Sequence, residues 1–558
     1  MSRYVGRFVR RYLPYLVGLS VLLPFVVASI RILSWDDGSP MGDWAALDLD
    51  VRSGLAVLGS YSQYGFRHPG PLYIWWMNWP RFVANGSSAY VFGATVLSAT
   101  FVCAGVWVAW RSWGRRIGIV VATCFILLVS TTGWGYVTSP WNPMVGVLGV
   151  PLLVVVAAAA WDGDVLASAV SVAVASLLVQ SHVGNAGVCL AILVALAVGQ
   201  WRRVEARPDL LKAWGTAAGT AVVLWMVPGL QQLTSGRDGN MWRIVQFSRN
   251  STIPRTGLGD ALQAGMRAFR PRPAWLGASN VYEGVTDHGR PLWLLAPVAV
   301  AILMLWGHRG GSSGRATVVG EGDEPTGERV ARRLLGIATV GWAAAIVMLG
   351  LGRGPVRVYY AVHIESLAAV ICVSSLSYLA LRGLRAWRDR RDSSTLDPKS
   401  SSIGGLLPVV ALAGVVAFAS LTTRSLQPQH EGSDYFLESV DAVKTSVATS
   451  SGSDGRVVIS QASPEGVSNE EFSFAMGFIA ALNRSGVNVA AGHDIDSESG
   501  DSTGSGLQLA VPPSLWVDAP RAGDLAVALF SGKESELPEA WQVISSLPNG
   551  TLVAVRPG

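Results

Sequence analysis

Long apolar runs separated by short polar stretches organise most of the chain. The first follows a basic N-terminus, MSRYVGRFVRRYLPYLVGLSVLLPFVVASIRIL, and others occupy 88–110, 117–134, 143–161, 165–182, 185–201, 214–233, 291–307, 335–352, 361–381 and 404–421. A helix needs roughly 20 mostly apolar residues to cross a bilayer, and the pattern predicts about eleven spans. No small-residue cleavage site stands before Trp35-Asp36-Asp37, so the first run reads as a retained span. The stretch 70–84, GPLYIWWMNWPRFVA, is too short to cross and holds Pro80 and Arg81. It reads as a helix lying at the outer surface with its tryptophans among the headgroups.

Beyond 424 the pattern changes, with Ser, Gly, Asp and Glu rising and the long apolar runs ending. Helices are expected near 434–449 and 470–484, and strands at 456–460, 487–490, 525–530 and 551–555, an alternation that favours a small α/β unit. The stretch 492–506 reads as a loop. The expected organisation is an α-helical polytopic membrane domain over 1–424, with outer loops 34–87 and 234–290, followed by a soluble extracytoplasmic α/β domain over 425–558.

Composition agrees with this reading. Of 558 residues, 50% are hydrophobic and only 15% charged, against about 25% charged in typical soluble domains. The mean hydropathy of +0.37 and the 22 Trp suit a lipid-facing surface with an interfacial aromatic belt. The net charge of +5 is not a nucleic-acid signal, because the basic residues fall in separate clusters. Those clusters, Arg3/Arg7/Arg10/Arg11, Arg111/Arg115/Arg116, Arg202/Arg203/Arg207/Lys212, Arg309/Arg315/Arg329/Arg332/Arg333 and Arg382/Arg385/Arg388/Arg390/Arg391, recur on the side predicted to be cytoplasmic. The N-terminus is therefore expected inside, the α/β domain outside, and the protein multi-pass in the plasma (inner) membrane. Cys103, Cys124, Cys189 and Cys372 all lie in apolar runs and imply no disulfide framework.

Candidate chemistry concentrates in predicted outer segments. The first loop holds Asp36, Asp37, Asp43, Asp48 and Asp50 beside Arg67 and His68. Asp48 and Asp50 read as solvent-facing or helix-capping. The segment GLGRGPVRVYYAVHIE supplies Arg353, Arg357, Tyr359, Tyr360, His363 and Glu365. Two arginines there run against the positive-inside trend, and the planar guanidinium suits phosphate oxygens. His363 and Glu365 are expensive in lipid and are expected to face a cavity. Trp141 and Asn142, between prolines, and His182, at the turn between two spans, are further substrate-binding candidates, although a structural turn or a helix-to-helix bond accounts for them equally well. The long loop 234–290 has the length and aromatic-basic mixture of a lid. There is no phosphate-cradling P-loop, no Cys/His metal spacing and no nucleophile elbow, which argues against an ATP-driven pump or a serine hydrolase.

Two motifs in the first outer loop carry a family resemblance. Gly42-Asp43-Trp44-Ala45, then Arg67-His68-Pro69-Gly70-Pro71-Leu72-Tyr73 leading into an aromatic helix, resemble the integral-membrane glycosyltransferases of the GT-C superfamily. These include the protein O-mannosyltransferases, the aminoarabinose transferase of lipid A and actinobacterial arabinosyl and mannosyl transferases. The resemblance covers roughly 13–380. It implies inverting transfer of a sugar from a polyprenyl-phosphate donor to a glycan or glycoconjugate acceptor on the outer face, with Asp43 as general base. Asp36 or Asp37 would share that role or bind a divalent cation. Relatives often carry a second acid directly after the first; Trp44 stands there, which weakens a paired-acid or metal-assisted mechanism.

The partners expected are the bilayer, the lipid-linked sugar and the acceptor, with no nucleic acid. The Ala/Val/Arg/Trp-rich, Lys-poor composition points to an actinobacterial cell envelope. Two other readings stay open at this level: a transporter or flippase for lipid-linked glycans, and a catalytically silent envelope-assembly scaffold.

Overall fold

The structure is a computed structural model of the full chain. It describes residues 2–35, 40, 42–54, 56–62, 64–203, 207–273, 275, 289–295, 298, 326–392, 407–426, 434–450, 456–462, 469–492, 511–512, 515–517, 524–530, 534–537, 540–547 and 551–557. In chain order the helices are α1 (Ser2–Leu33), α2 (Gly42–Arg52), α3 (Leu72–Asn78), α4 (Gly86–Trp113), α5 (Arg115–Thr132), α6 (Trp134–Val137), α7 (Gly146–Ala160), α8 (Val165–Ser181), α9 (Ala186–Arg203), α10 (Arg207–Ser235), α11 (Asn240–Asn250), α12 (Leu258–Arg267), α13 (Thr326–Leu351), α14 (Val358–Asp392), α15 (Leu407–Thr422), α16 (Asp434–Ser450) and α17 (Asn469–Arg484). The strands are β1 (Tyr61–Ser62), β2 (Phe66–Arg67), β3 (Val457–Ala462), β4 (Val489–Ala491), β5 (Leu525–Phe530), β6 (Gln542–Ser546) and β7 (Leu552–Pro557).

Helices occupy the predicted spans, apart from 291–307, which lies mostly outside the described residues. Among the described residues, seven helices are long and apolar enough to cross a membrane, and Val17–Leu33 and Val165–Ser181 are shorter apolar helices. The chain is a predominantly helical membrane protein with a small sheet near its C-terminus. The stretch 70–84 is helical as expected, through α3 and the 3-10 turn Trp79–Phe82. The four cysteines are free.

The chain forms two compact units. The first comprises Met1–Arg31, Ala94–Met226 and Asn250–Leu426. Its centre is α7, GVLGVPLLVVVAAAA, every residue of which is buried. A helix that is apolar all round belongs in a bundle's interior, and here α8, α9, α13 and α14 surround it. Small residues allow close approach: an added Cβ at Gly149 would fall 2.6 Å from Leu178, and one at Gly105 would fall 2.7 Å from Phe125. The few polar groups tie helices together. Gln200 Nε2 donates to the Ala160 carbonyl (2.8 Å), Trp214 Nε1 donates to Gln200 Oε1 (2.8 Å), and Ser366 Oγ donates to the Val147 carbonyl (3.0 Å). Arg333 grips Asp162 through two nitrogens at 2.6 and 2.7 Å.

The second unit comprises Ile32–Gly93, Val227–Arg249 and Gln427–Gly558. Its five-stranded sheet has the order β4-β3-β5-β7-β6; β4, β3 and β5 run parallel, while β7 is antiparallel to both β5 and β6. All the expected elements of the tail are present, and β6 is an addition. The segment after α1 enters this core directly: Ala45, Ala46 and Leu49 of α2 join Val457, Ile459, Phe478, Ile479, Leu525 and Val527. Helix α17 packs on both α2 and β3, which explains the burial of nearly every side chain from Ala475 to Leu482.

Two acids depart from expectation. Asp48 and Asp50 are 1% and 3% exposed, neither facing water nor capping a helix. Asp48 accepts from Arg52 Nε (3.0 Å) and the Tyr90 hydroxyl (2.5 Å), and Arg484 of α17 lies 3.7 Å away. Asp50 pairs with Arg67 at 2.6 Å. Burial pushes the Asp50 carboxyl above the usual carboxylate range, and the Arg67 guanidinium pulls it back only in part. The backbone of Arg67 is held by Asn240: its N–H donates to Asn240 Oδ1 (2.9 Å), and Asn240 Nδ2 donates to its carbonyl (2.8 Å).

Removing one partner from a buried ionic cluster leaves the others desolvated and unpaired. Asp48→Ala is therefore expected to cost about 3 kcal/mol of folding stability. Arg52→Ala, at the exposed side of the cluster, should cost under about 1 kcal/mol. Thermal unfolding of the purified protein checks this, and an Asp48→Ala variant melting with the wild type would contradict it.

Candidate functional site

The structure gathers the candidate residues into two groups, one in each unit. In the second unit Asp43 sits in the first turn of α2, half-buried, where unpaired helix N–H groups favour negative charge. Gly42 permits the turn into this helix with a positive φ of 53°. Tyr61, on the β1–β2 hairpin, is the neighbour of Asp43: burial raises the phenol above its ordinary range, the Asp43 charge raises it further, and Arg67 opposes both. Tyr61 stacks on Phe472 of α17 at 5.8 Å.

The Arg67-His68-Pro69-Gly70-Pro71 turn is close-packed. His68 is 5% exposed, with its backbone N–H donating to Ser60 and its carbonyl accepting from Gly59. An added Cβ on Gly59 would lie 2.6 Å from that carbonyl, so glycine is required there. Phe66 packs edge-on to His68, and Phe247 stacks on Tyr64 at 4.8 Å. The Arg67 guanidinium is thus engaged with Asp50 as a positioning group for the hairpin. Asp36 and Asp37 lie outside the described residues.

In the first unit, Trp141, His182, Tyr359 and Tyr360 come together. Trp141 lies 4.6 Å from Tyr359, the two tyrosine rings are 4.2 Å apart, and His182 lies 6.4 Å from Tyr360. His363, one turn along α14 from the tyrosines, is the electrostatic neighbour of His182. His363 and Glu365 are 7% and 9% exposed, buried in the protein as polar groups in a span must be. Asn142 serves the packing of the bundle. It opens the 3-10 turn Asn142–Val145 ahead of α7 and donates through Nδ2 to the Ser181 carbonyl at 2.7 Å, tying α7 to the end of α8.

Arg353 and Arg357 precede α14. Arg353 donates through Nη1 to the Ile253 carbonyl (3.0 Å) and forms an isolated antiparallel bridge with Arg255. Further bonds between these segments run from Thr256 N–H to Gly352 (3.0 Å), from Gly354 N–H to Pro254 (2.9 Å) and from Thr256 Oγ1 to Gly354 (2.7 Å). Directly opposed residues of an antiparallel pair project to the same face, and like charges there repel. Arg255 is the residue that sequence reading missed. Its signal is faint: Pro254-Arg255-Thr256-Gly257 and Gly352-Arg353-Gly354-Pro355 both place an arginine between Gly and Pro. The predicted lid 234–290 holds helices α11 and α12 where it is described. Among the described residues, no group of three or more His, Cys, Asp or Glu side chains is placed to hold a metal ion.

No protein-family model and no curated protein sequence matches the chain. Solved structures do. The archaeal oligosaccharyltransferase AglB from Archaeoglobus fulgidus, in complex with an inhibitory peptide and a dolichol-phosphate, aligns with 84% of this chain and 64% of its own, at a TM-score of 0.41 and 12% identity. ArnT from Cupriavidus metallidurans, bound to undecaprenyl phosphate, aligns over 98% of both chains at a TM-score of 0.53 and 13% identity. That likeness is one of fold, and it agrees with the motifs around Asp43 and His68: the chain is an integral-membrane protein with the GT-C fold.

Proposed function

We propose that the chain transfers a sugar from a polyprenyl-phosphate donor to a glycan or other exported acceptor, with inversion, on the outer face of the plasma membrane. The observation that carries this reading is the end-to-end fold likeness to ArnT, whose structure holds undecaprenyl phosphate. Asp43, in the motif that suggested this fold, supports it: it stands in the first turn of a helix packed into the protein core. An N-terminus in the cytoplasm and a tail outside go with this reading.

In the proposed reaction the Asp43 carboxylate accepts the proton of the acceptor hydroxyl as its oxygen attacks the anomeric carbon. The bond from that carbon to the phosphate oxygen breaks, and its electron pair leaves with the polyprenyl phosphate. The departing charge needs cations. Arg353 and Arg357 are assigned to it, and Arg255, bridged to Arg353 through the backbone, joins them as a further cation. Tyr359, Tyr360, Trp141 and His182 form the aromatic neighbourhood of these arginines' helix and are assigned to substrate contact.

Asp43→Asn keeps the shape of the side chain and removes the base. It is expected to lower transfer about 10²–10⁴-fold in membranes with expression unchanged; full activity would overturn the mechanism. Arg353→Ala and Arg255→Ala should each weaken binding of undecaprenyl phosphate roughly tenfold, with Lys at either position restoring part of the loss. Titration of the purified protein with the lipid reads this directly, and unchanged affinity in both alanine variants would remove the arginines from the donor site.

A further inference from the structure

The α/β layer of the second unit holds a polar group that the proposed transfer leaves unused. Strands β4, β3 and β5 lie side by side and parallel, in that order. The chain leaves β3 through α17 to reach β4 on one side, then returns past β3 to β5 on the other. For connections that depart in opposite directions, the place where open α/β sheets bind ligands lies beyond the carboxyl ends of the strands, here β3 and β5.

Gln461 stands at that edge. It is the last residue but one of β3 and is paired in register with Leu529 of β5. It is 1% exposed, and among the described residues neither its amide nitrogen nor its amide oxygen has a hydrogen-bond partner. Along the same face of β3, Val457 and Ile459 are apolar and packed into the core with Val527 and Leu529. An unmet buried amide is destabilising, and a Leu or Met would fill this position without that cost. The group is a planar donor-acceptor pair without charge. The ion pair of this strand set, Arg456 with Asp524 at 2.6 Å, closes the opposite, amino edge. Such a pair fits adjacent hydroxyls of a neutral sugar, donating to one and accepting from the next.

The same edge leads to Asp43. The crossover from β3 brings the first turns of α17 to the end where β3 finishes. Phe472 there stacks on Tyr61, and a Cβ added to Gly42 would lie 3.0 Å from Ser473 Oγ. The start of α2, with Asp43, therefore rests on the first turns of α17.

We infer that the carboxyl edge of β3 and β5 is a sugar-binding subsite read by Gln461, and that its occupant is the acceptor glycan. The second half rests on the transferase reading; the sugar site itself does not. The test uses the full-length protein in detergent, with methyl α-mannopyranoside and methyl α-arabinofuranoside as probes followed by saturation-transfer NMR. Wild type is expected to saturate at least one glycoside, with the signal lost in Gln461→Leu and Gln461→Met. Both variants should melt at or above the wild-type temperature without sugar, because an unmet amide is gone. No signal in wild type, or equal signals in wild type and variants, overturns the proposal, the latter meaning that the amide serves only a buried water. Variants that both melt below wild type also overturn it, because the amide then has a structural partner.

In a transfer assay Gln461→Leu should raise the acceptor KM about tenfold with kcat little changed, whereas Asp43→Asn removes kcat. Glycoside binding through Gln461 in a protein that transfers nothing would leave the sugar site standing and sink the transferase reading.

Discussion

The second unit depends on the burial of one carboxylate. Asp48 is 1% exposed and is tolerated in the protein interior because a cluster of partners surrounds it: Arg52 from its own helix, Arg484 from the end of α17, and the Tyr90 hydroxyl. Those three partners come from widely separated parts of the sequence, so satisfying one charge fixes α2 against α17 and the start of α4. Ala45, Ala46 and Leu49 then complete the apolar core that the sheet and α17 leave open. A helix from the segment that follows α1 thus becomes an integral layer of the C-terminal α/β fold. The position of Asp43, at the head of that helix, follows from this packing.

A second buried pair sets the loop that follows. Asp50 holds Arg67, and Asn240 imitates a backbone partner by bonding both the N–H and the carbonyl of Arg67. The hairpin is pinned from two sides, which places Tyr61 beside Asp43 and buries His68. Three acids on one short helix therefore differ in kind. Asp48 and Asp50 are engaged with cations, and burial biases Asp50 toward its neutral form. Asp43, half-buried in the first turn, is the acid of α2 with access to solvent.

The spans were legible because hydropathy is a local property, and a bilayer imposes length and composition segment by segment. The elements of the tail were legible for a similar reason, apart from β6, whose QVISS is short and only partly buried. The roles of Asp48 and Asp50 were not legible. In GDWAALDLDVR two acids alternate with leucine, a pattern that reads as a solvated helix face, and their partners Tyr90, Arg484 and Arg67 lie far along the chain. Arg255 was missed because its significance comes from a bridge across some hundred residues of sequence. For Asn142, a polar group at a span entry, the sequence left a turn and a substrate contact both open, and its partner, the Ser181 carbonyl, lies a helix away.

The same reasoning separates structural from available polarity in the first unit. Gln200, Ser366, Asn142 and the Arg333–Asp162 pair each close a bond that an apolar environment would otherwise leave open, and α7 runs between them without a polar side chain of its own. Polar groups in such a bundle are costly, and a second set of them lies near the start of α14. They are the aromatic and imidazole groups of Trp141, His182, Tyr359, Tyr360 and His363, with Arg353 and Arg357 at the head of the same helix. Among the described residues the interior of the bundle is the wholly apolar α7, and this second set lies toward the start of α14. The proposed transfer needs cations and contact groups together, and this set supplies both.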